Sequence, residues 1–471
     1  KCAIFDKNGD LIANAPHIPV HLGSMSQSVK SILRQNQGTI KKGDFFVLNS
    51  PYSGGTHLPD ISVIAPVFDK TGTKLLFFTG SRGHHADVGG TTPGSMPPYS
   101  NSINDEGVII DNFLLVENNK FFEKEIIEFF KNAKHPSRNI KHNIADLKAQ
   151  VAACKKGIQE LHRIIEQYEL YVVQAYMKFI QNNAENSIKR IIPKLNNSSF
   201  NYGFDNDKNI KVTINVDKIN KKIEIDFTGT SNRNSSNFNT PLAVTNAAIL
   251  YVLRTLINDN IPLNEGCLKP ISLIIPENSI LNPVFPNAVV AGNVETSQNI
   301  TETLLGALKL CSGSQGTMNN LTFGNENYQY YETIAGGTGA GPGYNGTATV
   351  QAHMTNTKIT DPEILESRFP VILEYHKIRY NSGGKGKWNG GDGAVRKIKF
   401  NEKMTVSLLS SHREIPPFAL NGGQEGEKGK NWVVKADGEI INNPSGCWVI
   451  ELEKGDSFIV QTPTGGGYGK K

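Results

Sequence analysis

Asn49-Ser50-Pro51-Tyr52-Ser53-Gly54-Gly55-Thr56-His57-Leu58-Pro59-Asp60, followed after two apolar runs by Ser81-Arg82-Gly83-His84-His85-Ala86-Asp87-Val88-Gly89-Gly90, is the most informative stretch of this chain. Imidazoles and carboxylates with no thiol nearby are the donor set of a Zn²⁺, Mn²⁺ or Fe²⁺ site and not of a thiolate structural zinc. The glycines let the backbone bend so that side chains of two loops converge, and Pro59 stiffens the turn between His57 and Asp60. A single histidine is more often a hydrogen-bonded core group or a surface residue. His57, Asp60, His84, His85 and Asp87 together favour a metal centre. Asp60 or Asp87 serves either as a ligand or as the carboxylate that orients a ligating imidazole. His17 and His21, in His17-Ile18-Pro19-Val20-His21-Leu22-Gly23, are weaker candidates, with a structural role favoured for His17.

Around these loops, residues 45–48, 61–67 and 75–79 are apolar runs bounded by Gly, Pro, Asn and Asp, the pattern of strands and turns. Residues 1–120 form a strand-and-loop region that carries the candidate metal loops. The chain opens at Lys1 and enters Cys2-Ala3-Ile4-Phe5-Asp6 as if inside a strand, so a preceding segment is expected. Over 121–200, Phe122, Ile126, Ile127, Phe130, Leu147, Val151, Ile158, Leu161 and Ile165 recur at helical spacing and predict a helical block. Residues 201–330 read as mixed α/β, with a hairpin about Lys221-Lys222 and helices over 243–257 and 301–310. Residues 331–471 are Gly-rich and mainly β, with strands at 371–375, 395–400, 405–409 and 448–452. The tail Thr464-Gly465-Gly466-Gly467-Tyr468-Gly469 reads as a mobile end. The expected class is a multi-layer, mixed α/β fold.

The 471 residues are enough for two to four packed units. Forty-nine basic against 44 acidic residues leave a net charge of +5 with no basic block, which argues against nucleic acid as a partner. Five cysteines stand far apart with no CxxC pair, which argues against a disulfide framework and suits a reducing cytoplasm. No apolar run approaches a membrane span and no leader precedes the first strand, so a soluble protein is expected. The glycine runs at 335–343, 382–386 and 390–393 lack the Gly-Lys-Ser/Thr of a nucleotide loop and read as close-packed turns, so ATP binding is not assigned to this chain. A Gly-x-Ser-x-Gly nucleophile elbow is also missing.

The two loops, the continuation Thr91-Thr92-Pro93-Gly94-Ser95-Met96-Pro97-Pro98, Gly292-Asn293-Val294-Glu295-Thr296-Ser297-Gln298, Ser314-Gln315-Gly316-Thr317-Met318-Asn319-Asn320 and the glycine tail closely resemble the hydantoinase B/oxoprolinase family. That family includes N-methylhydantoinase B subunits, the C-terminal half of ATP-dependent 5-oxoprolinases and acetone carboxylase large subunits. The resemblance implies a hydantoinase B-like fold and an ATP-dependent hydrolase acting on a small cyclic amide such as 5-oxoproline or a hydantoin. It also implies a hydantoinase A/oxoprolinase-like partner subunit that uses ATP, hence a hetero-oligomer. A divalent metal (Mn, Zn or Fe) would be held by His57 and Asp60 as a His-x-x-Asp element, by His84 or His85, and by an acid just upstream of Lys1. His84 is taken as the ligand, Asp87 and His85 as the acid-base candidates, and Arg82 and Asn293 as substrate or phosphate contacts. The rival expectations are an ATP-dependent ketone carboxylase subunit and a non-catalytic scaffold.

Overall fold

The computed structural model describes residues 1–471 apart from Pro16, Leu22 and Asn260. Its first sheet has seven antiparallel strands: β1 (Cys2–Asp6), β2 (Leu11–Asn14), β3 (Phe45–Leu48), β4 (Asp60–Phe68), β5 (Leu75–His84), β6 (Phe113–Glu117) and β7 (Lys120–Phe121). They lie in the order β2-β1-β5-β4-β3-β6-β7. Every residue of β4 is buried, because both faces of the sheet are covered. Alternation sends Phe46, Leu48, Ile64 and Phe78 into a core shared with Met25, Val29 and Ile32 of helix α1 (Met25–Gln35). Phe45, Val47, Ile61 and Val63 point the other way, into a core with Leu147, Val151 and Cys154. This explains the continuous apolar runs of the sequence: an antiparallel strand covered on both sides shows no polar alternation.

The helical block is α2 (Glu123–Lys131), α3 (Ile140–Tyr168) and α4 (Leu170–Ile191), with α3 lying across β4 and β5. No helix of the described residues is long and apolar enough to cross a membrane. A second sheet, β8 (Ser198–Phe204), β9 (Lys208–Asp217), β10 (Lys222–Asp226) and β11 (Ile271–Ile274), has the order β11-β10-β9-β8 and packs on α6 (Ser297–Ala307). In turn α6 packs on α5 (Leu242–Thr255), and every residue of α6 is buried.

The last part is a pair of antiparallel sheets. One contains β12 (Asn320–Gly324), β13 (Gln329–Thr333), β16 (Met404–Leu409) and β19 (Cys447–Leu452). The other contains β14 (Val371–Ile378), β15 (Ala394–Phe400), β17 (Lys430–Val434), β18 (Ile440–Asn443) and β20 (Ser457–Gln461). Phe323, Phe400, Val406, Leu408, Phe458 and Val460 share the core between them. The whole is a multi-layer mixed α/β fold.

Helix α1 escapes a sequence reading because Ser24, Ser26, Ser28 and Ser31 interrupt its apolar stripe and lower its helix propensity. The glycine tail departs from expectation in the other direction, since residues 464–469 are buried rather than mobile. The glycine runs interlock backbone to backbone: Gly391 N donates to Thr338 O, Gly465 N to Gly391 O and Gly466 N to Gly313 O. A Cβ on Gly465 would stand 1.8 Å from Thr338 O, and one on Gly337 would stand 1.8 Å from Gly391 O. Gly337, Gly391 and Gly465 are packing glycines, whereas Gly343 at the end of the first run has open space around it. Gly465→Ala is therefore expected to cost more than about 2 kcal/mol of stability, read as a fall of several degrees in the thermal unfolding midpoint.

Candidate metal centre

Strand β4 begins at Asp60 and β5 ends at His84, and the antiparallel register places these two residues opposite each other. Their side chains meet, with His84 Nδ1 3.1 Å from Asp60 Oδ1. His57 lies one turn before β4, where Asp60 N donates to His57 O, and that turn brings His57 Nε2 to 3.2 Å from Asp60 Oδ2 and 3.3 Å from His84 Nδ1. One ligand atom from each of the three residues lies within 4.8 Å of the others. Ligands at ~2.1 Å around a tetrahedral ion stand roughly 3.4 Å apart, so these separations suit three groups sharing one cation.

Asp60 is held from behind. His21, from the helical turn Pro19–His21, places Nε2 2.7 Å from Asp60 Oδ2, and Thr56 Oγ1 donates to the same oxygen at 2.8 Å. Burial works against the carboxylate charge, but His21 and His57 outweigh it and hold the Asp60 carboxyl well below its ordinary range. Burial pushes His21 down to about 4 and His57 below its usual value, against the pull of Asp60. These directions favour an ionised Asp60 and neutral His21 and His57, which is the protonation state metal binding requires of such groups. His57 Nδ1 and His84 Nε2 are buried without a partner. In number, charge and spacing the residues fit a divalent cation.

The cluster lines a cavity of about 210 Å³, whose apolar lining includes Val20, Val294, Met318 and Tyr331. The Tyr331 ring lies against His84, with centroids 5.3 Å apart and planes at 31°. Its hydroxyl donates to Asn320 Oδ1 at 2.8 Å, and Asn320 Nδ2 donates to Glu295 Oε1 at 2.7 Å. Burial raises Glu295 to about 7. Glu295 and Asn293 belong to a turn of π-helix, Gly292–Thr296, directly before α6. Asn293 lines the cavity, and its buried Oδ1 has no partner.

The structure does not bring the other expected residues to this point. His85 follows His84 and faces the opposite side of the sheet, where its Nε2–H donates to Gln150 Oε1 and its Nδ1 accepts from Asn143 Nδ2, both residues of α3. Asp87 accepts from Gly89 N, Gly94 N, Arg138 N and Arg138 Nη1, so its carboxylate ties a loop together and has no access to the cavity. Arg82, 1% exposed, donates to Ser62, Ser24 and Ser28 and bolts α1 to the sheet. The structure thus engages His85, Asp87 and Arg82, for which acid-base and substrate roles were expected, in contacts away from the cavity that His57, Asp60 and His84 line. His17 is exposed, as a residue outside the site would be. His21 contributes more than its sequence context indicates, and the sequence alone does not point to Tyr331, a single aromatic inside strand β13.

Residues 1–471 match the hydantoinase B/oxoprolinase family from end to end. The chain belongs to that family. It is 47% identical over 480 residues to 5-oxoprolinase of Dictyostelium discoideum, covering 100% of this chain and 37% of that protein. Against 5-oxoprolinase 1 of Arabidopsis thaliana it is 47% identical over 494 residues, covering 99% and 39%. The chain thus spans under two-fifths of these relatives. This corrects the expected separate A-type partner: in the 5-oxoprolinases one long chain contains the matched region, so a hetero-oligomer is not required. An uncharacterised protein of Methanocaldococcus jannaschii is 36% identical over 481 residues, covering 99% of this chain and 84% of that protein. The fold is shared with the ATP-dependent caprolactamase from Pseudomonas jessenii (TM-score 0.87, 21% identity, 100% of this chain and 84% of that one). It is also shared with acetone carboxylase in its nucleotide-free structure (TM-score 0.85, 18% identity, 99% and 70%).

Asp87→Asn should lower the unfolding midpoint, because it weakens the Arg138 ion pair and the loop bonds at a buried site, at a cost of about 1–3 kcal/mol. Any activity should persist in the folded fraction. Thermal unfolding and specific activity measured on the same sample separate this from a catalytic role, which would abolish activity without moving the midpoint.

Proposed function

We propose that the chain opens the ring of a small cyclic amide, previously activated with ATP, at a divalent metal held by His57, Asp60 and His84. The observation that carries this reading is the convergence of the three donors on the lining of a small cavity that Asn293, whose buried Oδ1 has no partner, also lines. The names of the similar 5-oxoprolinases point the same way, and 5-oxoproline is the substrate to test first. Because the glycine runs lack the Gly-Lys-Ser/Thr of a nucleotide loop, the ATP chemistry is assigned to groups outside these residues.

When bound, Mn, Zn or Fe supplies Lewis acidity toward a carbonyl oxygen and lowers the pKa of bound water toward neutrality. The chain's own residues do the rest. A ring locks its amide cis, so N–H and C=O lie on one edge, and a primary carboxamide presents the matching acceptor and donor pair. We assign Asn293, whose buried Oδ1 has no partner in the protein, to that contact. Val20, Val294, Met318 and Tyr331 pack against ring methylenes and exclude bulk water. His21 and Thr56 keep Asp60 ionised and oriented. An amide is a poor electrophile, and phosphorylation of its oxygen prepares the carbon for attack. Overall two waters are consumed: the oxygen of one bonds to the carbonyl carbon as the ring C–N bond breaks and the nitrogen leaves as the amine with a proton that water gives up, and the second releases the phosphoryl group as inorganic phosphate, leaving a carboxylate.

With ATP and the remainder of a long 5-oxoprolinase-type chain supplied, 5-oxoproline should be converted to the ring-opened amino acid. Asp60→Asn should lower that rate by more than roughly 100-fold with an unchanged circular dichroism spectrum. A rate within tenfold of the unmodified protein would reject the site.

A further inference from the structure

Helix α4 buries one side and leaves the other open. Val173, Gln181, Ala184, Ser187 and Ile188 are its buried residues. On the side away from them Tyr171 is 68%, Tyr176 64% and Phe179 60% exposed, and Tyr168, just before the helix, is 53% exposed. Single apolar residues are normal at a surface, whereas four large aromatic side chains this close in sequence make a patch. Tyr176 and Phe179 already meet edge to face, with ring centroids 5.9 Å apart. Between Tyr171 and Phe179 the only charged residue is Lys178, and a lack of charge is what marks the core of an interface.

The spacing says what fits there. Tyr171, Ala175 and Phe179 stand four residues apart, so they form one ridge along the helix surface, with a small residue between two large ones. Such a ridge is complementary to itself. When a second copy of α4 crosses at Ala175 about a two-fold axis, Tyr171 of each copy falls beside Phe179 of the other, and the alanines let the two helices approach. The available surface suffices: an aromatic side chain offers about 150–250 Å², and with roughly three-fifths of it open, four of them bury about 500 Å² per copy. A pair then buries roughly 1,000 Å², the size at which an interface exceeds an incidental contact.

We propose that the chain associates with a second copy of itself through α4, crossing at Ala175 with Tyr171 of one copy against Phe179 of the other. Among the described residues none of α4 lines the cavity that His57, Asp60 and His84 share, so this association stands apart from the hydrolase reading.

Sedimentation velocity on the purified chain at roughly 10 µM, with any neighbouring segments retained, should give twice the chain mass. Phe179→Glu and Tyr171→Glu, both at exposed positions, should each weaken the association by more than about 100-fold with an unchanged circular dichroism spectrum, because a two-fold interface takes every substitution twice. In a Cys2→Ser background, which removes the exposed native thiol, Ala175→Cys should link copy to copy when diamide oxidises the two thiols to a disulfide. Asn186→Cys, three turns further along the helix, should not. A monomer, a dimer that survives both glutamate substitutions, a dimer without the Ala175→Cys cross-link, or equal cross-linking from Asn186→Cys would each overturn the proposal. Cover of this face by another part of a longer chain would appear as one of those failures.

Discussion

The register of β4 against β5 is the constraint on which the site depends. Asp60 and His84 are a cross-strand pair at the end of a ladder that runs back through Ser62–Arg82 and Ile64–Gly80. Side chains alternate along a strand, so a slip of one residue would turn His84 toward α3 and bring His85 to the cavity. Arg82 pins that register. It lies two residues before His84 on the same face, and its bonds to Ser62 of β4 and to Ser24 and Ser28 beside and within α1 are compatible with one alignment only. On the opposite face, Gln150 and Asn143 capture His85 and fix the same alignment from α3. A buried arginine and a buried histidine that never reach the cavity thus decide which histidine does.

Strands and helices with strong periodicity were legible in the sequence: Phe45–Leu48 coincides with β3, the run at 243–257 with α5, and the hairpin about Lys221-Lys222 with β9 and β10. The elements that escaped are those whose residues serve tertiary partners more than local propensity. Serines of α1 hold Arg82, and the wide turn at Gly292–Thr296 takes its shape from contacts of Glu295 with Met318 N, Asn320 Nδ2 and Ser411 Oγ. Within the site, ligand-like density singled out both loops, but density does not say which of two adjacent histidines faces inward, or whether a carboxylate is already engaged. Asp87, with four donors around it, differs from Asp60 only in three-dimensional context. Likeness to a family gave the His-x-x-Asp element, and nothing local marks His21 or Tyr331 as its neighbours.

The part of the cavity lining that Tyr331 contributes beside His84 is backed by buried polar groups. Glu295 receives the backbone of Met318 and the amide of Asn320, and Asn320 in turn orients Tyr331 against His84. Arg413 donates to Asn319 Oδ1 and Asn431 Oδ1, joining the same loop to the β-sandwich. The interlocked glycines extend this rigidity, since each close approach leaves no space for a side chain. A cavity bounded this way has little freedom to adjust, which suits a site that must hold a small, rigid ring against fixed donors.

Metal content tests the central claim most directly. Elemental analysis of the purified protein, with any preceding segment retained, should find about one Mn, Zn or Fe per chain in the unmodified protein and none in His57→Ala or Asp60→Asn, with His85→Gln still loaded. Metal absent from the unmodified protein, or retained by His57→Ala and lost on His85→Gln, would contradict the assignment of His57, Asp60 and His84 as the metal centre.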